Sequence, residues 1–224
     1  MCLRTVRYAV AASSAALIIT SCSAGQDTSP HSDTPSSPAA AAPAPKPLNE
    51  EQLTALALTP QDLPGHKVEE AFQGPVISTD RPECRDLATA LLGGAMTGTG
   101  GQVHTQASKG TTTTKVSMHS WYGTKAATLL ADIKDAGRTC TGAINVVNGA
   151  EKVTLTSIVP GAALAAGDES ASFSAEQDLS GTKTPIEVAL VRKGTTLVTF
   201  TARSTSGTAE KPAEVVAAQL KKLN

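Results

Sequence analysis

Apolar positions recur along this chain in two periods, and they divide it into helices and strands. From Leu48 onward, Glu50–Leu58 places Leu53, Leu56 and Ala57 on one side and stops at Thr59-Pro60, which predicts a short helix. Asp62-Leu63-Pro64-Gly65 reads as a turn. Pro82–Leu92 is a second helix with Leu87, Leu91 and Leu92 apolar, ended by Gly93-Gly94. Residues 93–101 (GGAMTGTGG) read as a flexible loop. In Thr112–Tyr122, Thr114, Val116, Met118 and Ser120 alternate with Lys115, Ser117 and His119, the period of a strand. Lys125–Gly137 is a helix with Ala126, Leu129, Leu130 and Ile133 as its stripe and Gly137 as its stop. Strands follow at Ile144–Val147 with Val153–Val159, Ala171–Leu179, Ile186–Val191 and Leu197–Arg203, with a hairpin at Lys193-Gly194. Pro212–Leu223 closes the chain as a helix with Val216, Ala217, Leu220 and Leu223 in register.

Helices that bracket consecutive strands joined by short turns imply an α+β fold. The expected architecture is a largely antiparallel β-sheet packed with helices on one face and stapled by a single disulfide. The uncovered face would then present Thr and Ser outward. Thr114 or Thr199, whichever of the two faces outward, is its candidate ligand-binding position, with the Gly93–Gly101 loop able to close beside it; the other reading is a solvated face of residues that simply favour strands.

The pattern before Leu48 is different. Arg4 and Arg7 precede an apolar run, Tyr8–Ile19, that is too short to span a bilayer and ends in Ile19-Thr20-Ser21-Cys22. This reads as a signal peptide over residues 1–21 with a lipobox. Small residues let the extended chain enter a peptidase, and the Cys22 thiol takes a diacylglyceryl group whose two chains suffice for stable anchoring. Residues 22–47 continue as a Pro/Ser/Ala linker with almost no large apolar side chain, so burial cannot offset its ordering entropy. The domain proper is 48–224. The expected location is the outer side of the cell membrane, and the first expected partner is the membrane itself, through the N-terminal lipid.

Cysteine count and charge narrow the picture. Cys2 falls in the signal peptide and Cys22 is modified, which leaves Cys84 and Cys140 as a pair in an oxidising compartment. They read as a disulfide, against two buried reduced thiols. Two thiols without nearby histidines make only half a metal site. A formal net charge of −1 gives no footing for nucleic acid. Aromatics at 3% supply few stacking platforms.

Enzyme signatures do not hold together. Ser180-Gly181-Thr182-Lys183 has S-x-x-K spacing, but that chemistry needs the Ser at a helix start, and Gly181 and Pro185 mark a turn. His31, His66, His104 and His119 share no ligand spacing. Asp168-Glu169 after Gly167 reads as a turn before a strand. Trp121-Tyr122 anchors a strand-to-helix junction, with Trp121 as the wall of a ligand pocket in the alternative reading. No catalytic residue, metal or cofactor is expected.

Several segments carry a resemblance. Leu58–Gly65 (LTPQDLPG), Cys84, Trp121-Tyr122 with the helix to Cys140, Gly167–Ser170 (GDES) and Val188–Phe200 (VALVRKGTTLVTF) resemble a family of actinobacterial lipoproteins and receptor-kinase ectodomains, the sensor domain of PknH-like Ser/Thr kinases. The resemblance spans most of residues 48–224. It implies an antiparallel sheet packed with helices and a cleft for an external ligand. This chain carries one Cys pair where some members have two, and the resemblance brings no kinase segment with it. The function expected is a surface-tethered ligand-binding or sensor module, its ligand being a small molecule, an envelope polymer or a protein partner. The alternative is a carrier of lipid or another apolar molecule.

Overall fold

The computed structural model describes residues 45–223. The expected signal peptide, Cys22 and the expected linker up to residue 44 lie outside the described residues. The chain is held against the domain from Pro45 onward, where Gly123 N–H donates to Pro45 O and Leu48 N–H to Ser120 Oγ.

Strands β1 (Lys67–Glu70), β2 (Ile77–Thr79), β3 (Gly101–Lys109), β4 (Thr112–Ser120), β5 (Ile144–Asn148), β6 (Glu151–Pro160), β7 (Glu169–Leu179), β8 (Thr182–Lys193) and β9 (Thr196–Ser204) form one nine-stranded sheet. Their order is β1-β3-β4-β9-β8-β7-β6-β5-β2, and every pairing is antiparallel. Helices α1 (Glu50–Leu56), α2 (Arg85–Leu92), α3 (Lys125–Thr139) and α4 (Ala213–Lys222) complete the described residues, with a 3₁₀ turn at Pro82–Cys84. After β4 the chain passes through α3 to the far side of the sheet. It then meanders back through β5 to β9, so that β9 closes against β4.

The α+β class, the antiparallel sheet and the single disulfide, Cys84 to Cys140, are as expected. The placement of the helices is richer than the single face anticipated. α2 and α3 pack on one face with Leu190 and Leu197, and α1 and α4 share a second core on the other with Val116, Val191, Val198 and Phe200. The reason is in the central strands. Leu197 and Val198 are neighbours on β9 that point to opposite faces, and both are fully buried, as are Leu190 and Val191 on β8. A strand apolar on both sides needs cover on both.

Three local readings also change. Gly137 does not end α3, which runs to Thr139; it lies inside the helix, and the position takes glycine because a Cβ there would stand 2.2 Å from Phe173 Cε1. The Gly-rich segment is not a free loop. Gly93, Gly94, Ala95 and Met96 are buried, and a Cβ on Gly94 would meet Ile77 Cδ1 at 2.6 Å. Its last residue, Gly101, opens β3, a strand whose sequence GQVHTQASK shows no clear apolar alternation. Finally, α4 buries Val215, Val216 and Gln219, leaving Ala217 exposed.

Ser180-Gly181 is a two-residue hairpin loop with φ of 53° and 89°, the left-handed conformation that a type I′ turn needs at both positions. Lys183 pairs with Glu176 at 2.8 Å across that hairpin. The S-x-x-K spacing is therefore turn chemistry rather than a nucleophile at a helix start.

Candidate functional site

Among the described residues, the α1/α4 face carries two cavities larger than the one on the α2/α3 face. α4 leans over β8 opposite the segment 161–168 that joins β6 to β7. Between them runs a groove of about 390 Å³. Its walls are apolar: Leu164 and Ala166 on one side, Val216 and Leu220 on the other, and Ala189 on the floor. The rim residues Ala162, Ala165, Ala213 and Ala217 are exposed, so the groove opens to solvent. Local bonds shape the 161–168 wall. Ser170 Oγ donates to Leu164 O and Ser172 Oγ to Ala162 O, while Asp168 accepts from Arg192 and from Gly194 N–H. The Asp168-Glu169 pair is thus structural: Asp168 ties the segment to the β8–β9 turn, and Glu169 pairs with Lys134 of α3 at 2.8 Å.

One titratable side chain reaches the groove from the sheet. Burial pushes the Glu187 carboxyl above its ordinary value, and the neighbouring Lys211 ammonium partly opposes that rise.

The residues singled out in the sequence do not come together. Thr114 and Thr199 are both buried, at 3% and 2% exposure, because each face of the central sheet is covered. Thr114 lies on the α1/α4 face at the edge of a second cavity. Thr199 lies on the opposite face, beside Ser117 in the register of β4 and β9. Trp121 is buried in the α2/α3 core and borders a small cavity of about 130 Å³; its Nε1–H donates to Thr97 O at 3.1 Å. The core-anchor reading of Trp121 accounts for these contacts. Tyr122 beside it is exposed.

Sequence reasoning missed a buried polar seam on the α2/α3 face. His104 Nδ1 bonds Ser117 Oγ at 2.9 Å. His119 stacks on Trp121 at 5.7 Å between ring centroids and meets His104 edge-on at 5.2 Å. Neither ring nitrogen of His119 has a hydrogen-bond partner. Desolvation lowers the His104 pKa to about 4 and the His119 pKa to about 3, with the Lys115 ammonium adding repulsion in both cases. Lys115 and Arg203 cap the end of α2: Lys115 donates to Gly93 O and Arg203 to Leu92 O. Cations at a helix C-terminus are favoured by the dipole. Burial nonetheless brings Lys115 down to about 8, with Arg203 repelling it. The alternation of Lys115, Ser117 and His119 was the signal; it marked an inward face, not an outward one.

These features define an α+β domain with a nine-stranded antiparallel sheet, helices on both faces, one disulfide and an open groove beneath the last helix. In that fold the chain is similar to the extracellular domain of PknH from Mycobacterium tuberculosis, with a TM-score of 0.56 at 14% identity, over 80% of this chain and 98% of that one. It is also aligned with an uncharacterised Rv0999 ortholog from Mycobacterium smegmatis at a TM-score of 0.42 and 12% identity, covering 70% of this chain and 90% of the other. No protein-family profile matches the chain, and no curated protein matches it significantly.

Proposed function

We propose that this protein is a ligand-binding module of the sensor type, tethered outside the cytoplasm by a lipid on Cys22, and that the groove beneath α4 is its binding site. The observation that carries this reading is the groove itself. Its volume of about 390 Å³ falls in the ~300–1,000 Å³ range of small-molecule sites. Its apolar walls with a single carboxyl group, Glu187, match the usual composition of such sites, apolar cover with a few polar groups for orientation. The shared fold with an extracellular domain supports the outward location. The apolar lining also favours a second reading, a carrier of lipid or another apolar molecule. The two differ in one behaviour: a carrier speeds transfer of a fluorescent acyl chain between vesicles, and a sensor holds its ligand without doing so.

Isothermal titration of the mature protein with dodecanol, a bare apolar chain, tests the site. Binding is expected, and Ala165→Trp, at an exposed rim position, is expected to weaken it about tenfold or more. Absence of binding in the wild type, or indifference to Ala165→Trp, would remove the groove from the reading.

The anchor has its own test. Labelled palmitate is expected to enter the wild type and not Cys22→Ser, which should leave the membrane fraction or remain unprocessed. Equal labelling of the two proteins contradicts the lipobox.

A further inference from the structure

The groove has a neighbour. A second cavity of about 540 Å³ lies on the same face, and the two share Lys211, Pro212 and Ala213 as a common wall. One register row runs beneath both: Ala107, Thr114, Ala202, Glu187 and Ser174, on β3, β4, β9, β8 and β7 in turn. Ala202 is at the centre of the row and fully buried. Thr114 and Glu187 flank it, one in each cavity, two strands or roughly 10 Å apart.

The two cavities differ in chemistry. The groove is apolar apart from Glu187, Ser172 and Lys211 at its edges. The second cavity presents the hydroxyls of Thr111, Thr112 and Thr114 together with His66. The His66 side chain is 8% exposed, with its Nε2 3.7 Å from Glu214 and its Nδ1 turned away from solvent. The charges around this cavity balance: Lys109 and Lys211 against Glu210 and Glu214, with Lys109 and Glu214 already paired at 2.9 Å. Hydroxyls and an imidazole both donate and accept, so they pair with other hydroxyls in either sense. Balanced charge gives no advantage to an anionic or cationic head. Thr112 and Thr114, whose hydroxyls have no partner among the described residues, therefore give this cavity a polar wall beside the apolar groove.

We propose that the two cavities are the arms of one site for an amphiphile, with an apolar chain in the groove beneath α4 and a neutral, polyhydroxylated head against Thr112, Thr114 and His66. This rests on the groove reading above and adds the head and its chemistry. No sequence motif marks it, because its polar arm is assembled from the β3–β4 hairpin, the turn before β1 and the start of α4.

Titrations of the full mature protein with dodecyl maltoside and dodecyl sulfate below their micelle concentrations, with dodecanol below its solubility limit and with maltose, test the assignment. Dodecyl maltoside is expected to bind about tenfold or more tighter than dodecanol and dodecyl sulfate, with maltose weakest. Thr112→Trp, which fills the polar arm, is expected to weaken dodecyl maltoside about tenfold and leave dodecanol unchanged, while Ala165→Trp weakens both. Thr111→Trp, at an exposed position, serves the same purpose if Thr112→Trp fails to fold. Equal affinity for dodecanol and dodecyl maltoside, with both polar-arm variants neutral, overturns the bipartite site and leaves the groove standing. Tighter binding of dodecyl sulfate overturns the neutral head. Failure of every chain-bearing probe overturns the groove and this inference together.

Discussion

Lowering the pH from 7 to 4 is expected to cost this domain on the order of 5 kcal/mol of folding stability through two buried histidines. His104 and His119 have folded pKa values of about 4 and about 3, held down first by desolvation. In the unfolded chain both titrate near 6.5. Between these values the unfolded state binds protons that the folded state refuses, so stability rises with pH across that window. The contribution is complete above about pH 6.5 and is lost as pH falls toward 4. Each pKa unit is worth about 1.4 kcal/mol, which gives at most roughly 3 kcal/mol for each histidine by pH 4; His104 repels His119, so the two losses do not add in full and the total stays on the order of 5 kcal/mol. Asp62 marks a lower window. Its carboxylate accepts from Lys222 and Thr59 and titrates at about 2, so its contribution is present above about pH 4 and disappears only below that. Urea unfolding at pH 7.5, 6, 5 and 4 checks the claim. The double variant His104→Gln/His119→Phe, which keeps an aromatic ring against Trp121, should flatten most of the slope between pH 6.5 and 4. A wild type whose stability does not change over that interval would refute it.

Reduction of the Cys84–Cys140 bond, or its replacement by Ser at both positions, is expected to lower stability by about 4 kcal/mol and the thermal midpoint by roughly 10 °C. The bond closes a loop with a sequence separation of 56, and the chain-entropy cost of leaving it open sets the scale. Its placement adds to that. Cys84 immediately precedes α2 and Cys140 caps α3, so the bond fixes the two helices that cover one face of the sheet. Non-reducing peptide mapping should join the two cysteines. Free thiols at both positions in protein isolated from its own host, or an unchanged midpoint after reduction, would contradict this.

What could be read from the sequence was whatever depends on neighbours along the chain. The apolar stripe Ala126, Leu129, Leu130 and Ile133 determined α3, because residues three and four apart share a helix face. Period-two alternation located β4, short apolar segments between turn residues located β5 to β9, and the cysteine count located the disulfide. β1 and β2 are four and three residues long, too short for any period to register. β3 escaped because its residues are mostly small or polar, and pairing with β4 rather than its own pattern makes it a strand.

Which face a residue occupies, and what covers that face, was decided only in three dimensions. Thr114 and Thr199 sit at similar points in similar strands, and the one facing outward was expected to lie on a solvated surface. Tertiary packing buried both and sent them to opposite faces. The runs Val188-Ala189-Leu190-Val191 and Leu197-Val198 held a trace of this, since a strand half-exposed to water would not be apolar at successive positions. The groove and its polar neighbour had no trace at all. They exist because α4 returns over β8 and β9 from the end of the chain and meets segments about 50 and 100 residues earlier. A site assembled from segments so far apart has no local pattern, so only the fold reveals it.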